Sequence, residues 1–113
     1  MTSTLPRSGM PQHFGIRITD ANKEKLVGEL DVDERHLNNG GHVHGGAFAA
    51  FADDLGGTLA GLNVPPEFRT TTIESKTNIF RACLPGRLTG VAVPVHVGRR
   101  TIVLQISIYR PDG

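Results

Sequence analysis

The feature that most constrains the fold is a series of large apolar residues at helical spacing, which follows a glycine-rich turn. The series is Phe48, Phe51, Leu55, Leu59 and Leu62. Its i, i+3, i+4 spacing predicts a helix of about four turns that packs one face against a sheet. The turn before it, residues 38–46, predicts a helix start near Gly45 and Gly46.

The opposite side of this helix carries small residues and one acid. At roughly 100° per residue, Gly46, Ala50, Asp53 and Gly57 lie together on that side. An exposed helix face normally carries long polar side chains, and each interior glycine costs on the order of 1 kcal/mol relative to alanine. The close approach of a ligand or of another subunit explains this groove with its carboxylate.

The start of the helix supplies hydrogen-bond donors to the same groove. Gly45 and Gly46 occupy positions where backbone N–H groups have no partner within the helix, and glycine lets another group come close. Together with the helix dipole, these donors suit an oxygen that develops negative charge. Asp53 follows two turns later, a span that we expect one acyl group to bridge.

Alternation of apolar and polar residues predicts strands on both sides of the helix. Two hairpins are expected, within residues 14–32 and within residues 91–108. Residues 70–80, which are rich in Thr and Ile, are predicted as a further strand. Pro94 indicates a bulge or a break in strand pairing. One helix against an antiparallel sheet is an α+β architecture.

Composition disfavours several classes of function. A chain of 113 residues that is 38% hydrophobic supports one domain with a modest core. Its 12 basic and 11 acidic residues nearly balance, which argues against a nucleic-acid partner. We expect no membrane association, because no apolar run could span a bilayer and the N-terminus lacks an apolar signal segment. A single cysteine, Cys83, suits a reducing compartment, so a cytoplasmic location is expected.

The spacing of several polar residues resembles a known signature. Asn38, the run His44-Gly45-Gly46, and Asp53 nine residues after the histidine resemble hotdog-fold acyl-CoA thioesterases of the phenylacetate-degradation (PaaI-like) type. The likeness extends through residues 75–81, Pro85-Gly86 and residues 97–100, and so covers most of the chain from about Phe14 onward. It implies an antiparallel sheet wrapped around one central helix. We expect residues 1–12 to be a flexible arm and residues 13–113 a single hotdog domain.

The resemblance also implies roles for the signature residues. Asp53 would act as nucleophile or general base, and the backbone N–H of Gly46, with that of Gly45, would polarise the thioester carbonyl. Asn38 would position the attacking group or the carbonyl, and His44 would support the loop or the thioester. No cofactor and no metal are expected. Members of the family build the site at a dimer interface, so we expect a homo-oligomer, either a dimer or a dimer of dimers.

Further residues are expected to contact the acyl-CoA substrate. Gly57 lies on the small-residue face of the helix. Three residues would come from the second subunit: Thr72, Asn78 and Arg81. Two arginines, Arg99 and Arg100, would meet CoA phosphates. Guanidinium groups match phosphate geometry, although solvated charges at a hairpin tip explain the two arginines equally well. Aromatic, short-chain and medium-chain acyl groups all remain open.

Simpler interpretations apply to several other residues. His36, His42 and His44 are not expected to form a metal site, because no acid or cysteine completes the set at a metal-ligand spacing. Cys83 has no neighbour that would activate its thiol, so a packed side chain is expected. Asp54 is expected on the flank of the helix. The paired glycines lack the Lys-Ser/Thr of a phosphate loop.

Three rival functions remain under consideration. A non-catalytic acyl-CoA-binding regulator would have no use for a base at Asp53, and a hydratase would need a histidine on the helix, which has none between Gly46 and Leu62. An inactive oligomerisation module is the third. It is motivated by the last four residues, a turn sequence at which the family normally continues with another strand. A truncated sequence, a strand supplied by a partner and an unprotected edge strand all explain that ending.

Overall fold

The computed structural model describes residues 5–113, which form one antiparallel sheet with a long helix against it. The first four residues of the expected arm lie outside the described residues. The elements in chain order are α1 (Gly9–Phe14), β1 (Ile16–Ala21), β2 (Leu26–Asp31), a 3₁₀ turn (Glu34–His36), α2 (Gly45–Leu62), β3 (Arg87–Val97) and β4 (Ile102–Tyr109). The order of strands in the sheet is β1-β2-β3-β4.

Helix α2 buries the apolar face that its spacing predicts. Phe48, Phe51, Leu55 and Leu59 are all buried against the sheet. The helix lies close to the sheet because Gly28 of β2 and Gly90 of β3 are directly paired. A Cβ atom at these two positions would lie only 2.5 and 2.4 Å from methyl groups of Leu55. We call this pair of residues the glycine notch.

Both predicted hairpins are confirmed. Strand β1 pairs with β2, and β3 pairs with β4, each in antiparallel register. The register of the second pair shifts between Pro94 and His96, as expected for a proline that cannot donate to its neighbour. Helix α1, which the sequence analysis did not predict, ends at Gly15, whose φ of 81° is left-handed.

The predicted strand over residues 70–80 is wrong. Among the described residues, positions 69–82 form no strand, make no backbone–backbone hydrogen bond and are exposed. A preference for β structure needs a neighbouring strand to pack and pair with, and among residues 5–113 β4 pairs only with β3. The segment instead follows α2, with Ile79 near Gly45 and Thr72 bonded to Asp53.

No helix among residues 5–113 combines the length and the apolar character needed to cross a membrane.

Candidate active site

The loop before α2 is a tight hairpin organised by Asn38. Leu37 and Val43 form an isolated bridge, and the Asn38 N–H donates to the His42 carbonyl at 2.8 Å. The Asn38 side-chain oxygen accepts from the N–H groups of Gly40 and His42 at 2.9 and 3.2 Å. The amide nitrogen of Asn38 has no hydrogen-bond partner within residues 5–113, so it is available to donate to a ligand.

His36 supports this loop from the protein interior. Its side chain is fully buried, its Nδ1 accepts from the Asp33 N–H at 2.9 Å, and its Nε2 lies 2.8 Å from the Phe14 carbonyl oxygen. Because Nδ1 accepts, Nε2 carries the proton and donates to that oxygen. The His36 carbonyl accepts from the His44 N–H at 2.8 Å. Both ring nitrogens of His36 are therefore hydrogen-bonded within the protein. This indicates a structural role for His36 rather than a metal-ligand role.

His44 caps the start of α2. Its Nδ1 accepts from the Gly46 N–H at 2.7 Å, and its carbonyl accepts from the Ala47 N–H at 2.9 Å. The Gly45 N–H has no partner among residues 5–113. The sequence predicts Gly46 as the main donor, whereas the free donor in this structure is Gly45. For the Gly46 N–H to bind another group, the His44 imidazole would have to turn away.

Asp53 is an exposed residue whose carboxylate is held by one side chain. The Thr72 hydroxyl donates to Asp53 Oδ1 at 2.9 Å. Thr72 was expected to come from a second subunit, but the structure brings it to Asp53 within one chain. A hydroxyl donor at this distance fixes the orientation of the carboxylate and leaves its second oxygen open.

A cavity lies beside Asp53, between α1 and α2. Its volume is about 170 Å³, and it is lined by Met10, Pro11, Phe14, Ile16, Ala50, Asp53 and Asp54. Five of these seven residues are apolar, so the carboxylate stands at the edge of a mostly apolar space. Sequence reasoning missed this cavity, because its outer wall is α1.

Asp54 differs from Asp53 in its surroundings. It forms an ion pair with Arg7, and the two side chains are only 14% and 15% exposed. Burial raises the pKa of the Asp54 carboxyl, and the positive charge of Arg7 partly opposes this shift. The ion pair attaches the residues before α1 to α2. Asp54 therefore lies on the flank of the helix, as expected, with a structural partner.

The remaining predicted site residues fall into two groups. Gly57 and the segment that contains Asn78 and Arg81 lie along α2, where Gly57 is open to solvent and Ile79 passes Gly45. Arg99 and Arg100 lie at the β3–β4 turn, and within residues 5–113 neither makes a hydrogen bond or an ion pair with another site residue. The structure thus brings the first group to the helix and leaves the two arginines apart from it.

Cys83 is a packed side chain outside this arrangement. The thiol is buried, which raises its pKa, and it donates to the Arg81 carbonyl at 3.8 Å, so the expected packed side chain is confirmed. No group of three or more His, Cys, Asp or Glu side chains within the described residues could hold a metal ion.

Known proteins match this chain in both sequence and structure. The family model described as "Thioesterase superfamily" matches residues 40–113. A 1,4-dihydroxy-2-naphthoyl-CoA hydrolase of Escherichia coli (strain K12) is 32% identical over 111 residues, which is 98% of this chain and 82% of that protein. The crystal structure of a mutant thioesterase from Pseudomonas aeruginosa has a TM-score of 0.88 and 32% identity, and the match covers 92% of this chain and 76% of that one.

A more distant structure shows the same fold. The crystal structure of a phenylacetic acid degradation-related protein from Ralstonia eutropha has a TM-score of 0.89 at 20% identity, and the match covers 96% of this chain and 84% of that one. Together with the sequence matches, it confirms the architecture of a central helix and an antiparallel sheet. The chain therefore belongs to the thioesterase superfamily, as a thioester hydrolase with the hotdog fold.

Proposed function

We propose that the chain hydrolyses acyl-CoA thioesters, with Asp53 as base or nucleophile and the N–H groups at the start of α2 as donors to the carbonyl. The observation that carries this proposal is the oriented Asp53 carboxylate at the edge of an apolar cavity, on a helix whose first N–H is free. In the overall reaction the C–S bond breaks and a C–O bond forms. Water supplies the hydroxyl group of the carboxylic acid and the hydrogen of the CoA thiol.

The helix start supplies electrostatic stabilisation in this proposal. The Gly45 N–H donates to the thioester oxygen as negative charge develops there, and the positive end of the helix dipole strengthens the contact. The Gly46 N–H joins it when the oxygen displaces the His44 imidazole. The free amide nitrogen of Asn38 is a further donor beside the helix start.

Helix geometry supports a site shared between two copies of the chain. Gly45 and Asp53 are eight residues apart, which is about 12 Å along the helix axis. The N–H groups at a helix start also point away from the rest of the helix. A donor contact of about 3 Å, a C=O bond of about 1.2 Å and an attack distance of about 3.5 Å together span less than this rise, and the Asp53 side chain covers only part of the difference.

This distance favours donor and acid from two different copies over a single helix that supplies both groups to one carbonyl. In the proposed homo-oligomer, Asp53 of one copy faces Gly45 of another.

Replacing Asp53 tests the proposal. We expect Asp53→Asn to retain the fold and the affinity for acyl-CoA but to lose turnover by roughly 10²-fold or more, because the base or nucleophile is gone. Release of CoA is measured with a thiol-detecting dye, and binding is measured by calorimetry. Asp112→Asn, in an exposed turn, is the matched control and should retain wild-type rates.

Equal rates for wild type and Asp53→Asn would contradict the proposed role of Asp53. Binding of acyl-CoA by the wild type without any turnover would instead favour the non-catalytic regulator.

A further inference from the structure

We infer that the cavity between α1 and α2 binds the acyl group, and that Met10 and Phe14 on α1 limit this group to about the size of one aromatic ring. This inference rests on the proposed function, because it assumes that the thioester carbonyl lies at Asp53. It concerns the substrate class, which the sequence leaves open, and it assigns the selection of substrate to the short N-terminal helix.

The position of the cavity suits an acyl group. Ala50 lies one turn before Asp53 on the same face of α2, and both residues line the cavity. An acyl chain that starts at a carbonyl beside Asp53 passes over the methyl group of Ala50 and enters the space under α1. The apolar lining there would remove the chain from water, which favours binding of an apolar acyl group.

The volume of the cavity sets the size of the acyl group. A dry, enclosed cavity of about 150 Å³ in another protein accommodates benzene, and the cavity here, which opens to solvent on the side of Met10, measures about 170 Å³. One aromatic ring, or an aliphatic chain of about six carbons, therefore fills it. A longer chain would have to displace a wall or extend into water.

Phe14 and Met10, the two large residues of the cavity wall, differ in how freely their side chains can move. Phe14 packs edge-to-face against the buried ring of His36, with ring centres 5.4 Å apart, and the His36 ring also bonds the Phe14 carbonyl. Met10 is 58% exposed, and methionine has three rotatable bonds. The Arg7–Asp54 ion pair holds the start of α1 against α2. Phe14 is thus the fixed limit of the cavity, and Met10 is the adjustable one.

A series of CoA esters tests the inference. We expect the wild type to have higher kcat/KM for hexanoyl-CoA and benzoyl-CoA than for acetyl-CoA or decanoyl-CoA. Met10→Ala should raise the ratio of decanoyl-CoA to hexanoyl-CoA activity roughly 10-fold, because it opens the outer wall. Ala50→Leu should lower benzoyl-CoA activity roughly 10-fold relative to acetyl-CoA, because it fills the cavity. Phe68→Ala, at a site 62% exposed and outside the cavity, is the control and should change neither ratio.

A binding measurement separates this inference from the proposed function. The dissociation constants of the same four esters are measured by calorimetry on Asp53→Asn, with and without Met10→Ala. A shift of the decanoyl-to-hexanoyl ratio toward decanoyl-CoA supports the cavity whether or not any ester is hydrolysed. Ratios that stay within twofold in both activity and binding would overturn the inference and leave the role of Asp53 untouched. Absence of turnover with a shifted binding ratio would contradict only the proposed function.

Discussion

His36 shows how one buried side chain supports the proposed site without touching substrate. Its ring joins the Asp33 N–H to the Phe14 carbonyl, and its own carbonyl holds the His44 N–H. Removal of the ring would leave a donor and an acceptor without a partner at partly buried positions, and a fully buried group of this kind costs on the order of 1–3 kcal/mol. The orientation of the helix cap at His44 therefore depends on a residue that lies behind it.

We expect His36→Leu to lower the free energy of unfolding by about 2 kcal/mol, because two partly buried polar groups lose their partner. Urea denaturation followed by circular dichroism measures this change. His96→Leu, at an exposed position of β3, is the matched control and should change the free energy of unfolding by no more than about 0.5 kcal/mol. Similar values for the two variants would contradict the supporting role of His36.

Asp54 gives the stability a dependence on pH. Burial raises the pKa of its carboxyl above the ordinary value of 3.8, so the folded protein binds this proton more tightly than the unfolded chain. The stabilisation that this bound proton gives to the folded state is complete below pH 3.8 and is lost as the pH rises through the folded-state pKa of Asp54. We expect the difference in free energy of unfolding, wild type minus Asp54→Asn, to decrease between about pH 3 and about pH 7.

Denaturation curves at several pH values measure this difference. An increase of the difference with pH would show that the attraction of Arg7, which lowers the pKa of Asp54, outweighs the effect of burial.

At the scale of elements, the glycine notch sets the distance between α2 and the sheet. We expect Gly90→Ala to lower the free energy of unfolding by about 1–3 kcal/mol, because the added methyl group meets Leu55 and Phe51. In the Leu55→Ala background the same substitution should cost less, since the colliding methyl groups are gone. A double-mutant cycle in urea measures this coupling.

Gly57→Ala is the control for the notch. A Cβ atom at Gly57 meets no heavy atom within 4 Å, so this substitution should stabilise the helix by about 0.5–1 kcal/mol. Equal costs for Gly90→Ala in both backgrounds would show that Leu55 is not the group that it meets.

The elements differ in how well the sequence predicts them. Helix α2 and the two hairpins have strong local patterns, and in each case the pattern agrees with burial in the structure. Residues 70–80 have β preference but no neighbouring strand within residues 5–113, and local pattern does not reveal such a lack. Helix α1 has six residues, which is too short for a periodic pattern to be recognised.

The same difference applies within the candidate site. Its positions on α2 follow from helical spacing, so Gly46 and Asp53 are placed on one face from the sequence alone. The hydrogen bond from Gly46 to the His44 ring depends on a side-chain rotamer, and the bond from Thr72 to Asp53 depends on the path of an irregular segment. Neither contact follows from spacing, because no regular repeat governs it.

At the scale of the whole molecule, the exposed apolar side chains of residues 69–82 favour association. Three large ones are Ile73, Ile79 and Phe80. They lie on the segment that follows α2 past Asp53 and Gly45, which is where a second copy would have to approach to complete the site. The exposed apolar side chains and the distance between Gly45 and Asp53 therefore both lead us to expect that two copies of the chain associate at this face.

Mixing two inactive variants tests this expectation. Gly45→Pro removes the free N–H at the first helical position, where proline is tolerated, and the ψ of 139° at His44 suits a following proline. We expect Gly45→Pro and Asp53→Asn each to lose activity. After the two are unfolded, mixed and refolded together, activity should recover to about a quarter of the wild-type value, because random pairing of two species makes half of the dimers mixed and each mixed dimer has one intact site.

Each variant refolded alone is the control, and sedimentation should show that the mixture has the size of the wild type. A mixture that stays inactive although mixed oligomers form would place donor and acid in the same copy.

The contact between the His44 imidazole and the Gly46 N–H also has a consequence for rate. In the proposed mechanism the thioester oxygen would take the place of the His44 ring nitrogen, so a neutral thioester would gain little: one hydrogen bond would be exchanged for another. The exchange becomes favourable once the oxygen is anionic, since hydrogen bonds to ions are roughly twice as strong as those between neutral groups. On the proposed mechanism, the Gly46 N–H would therefore stabilise the transition state more than the bound substrate, which raises the rate of the chemical step.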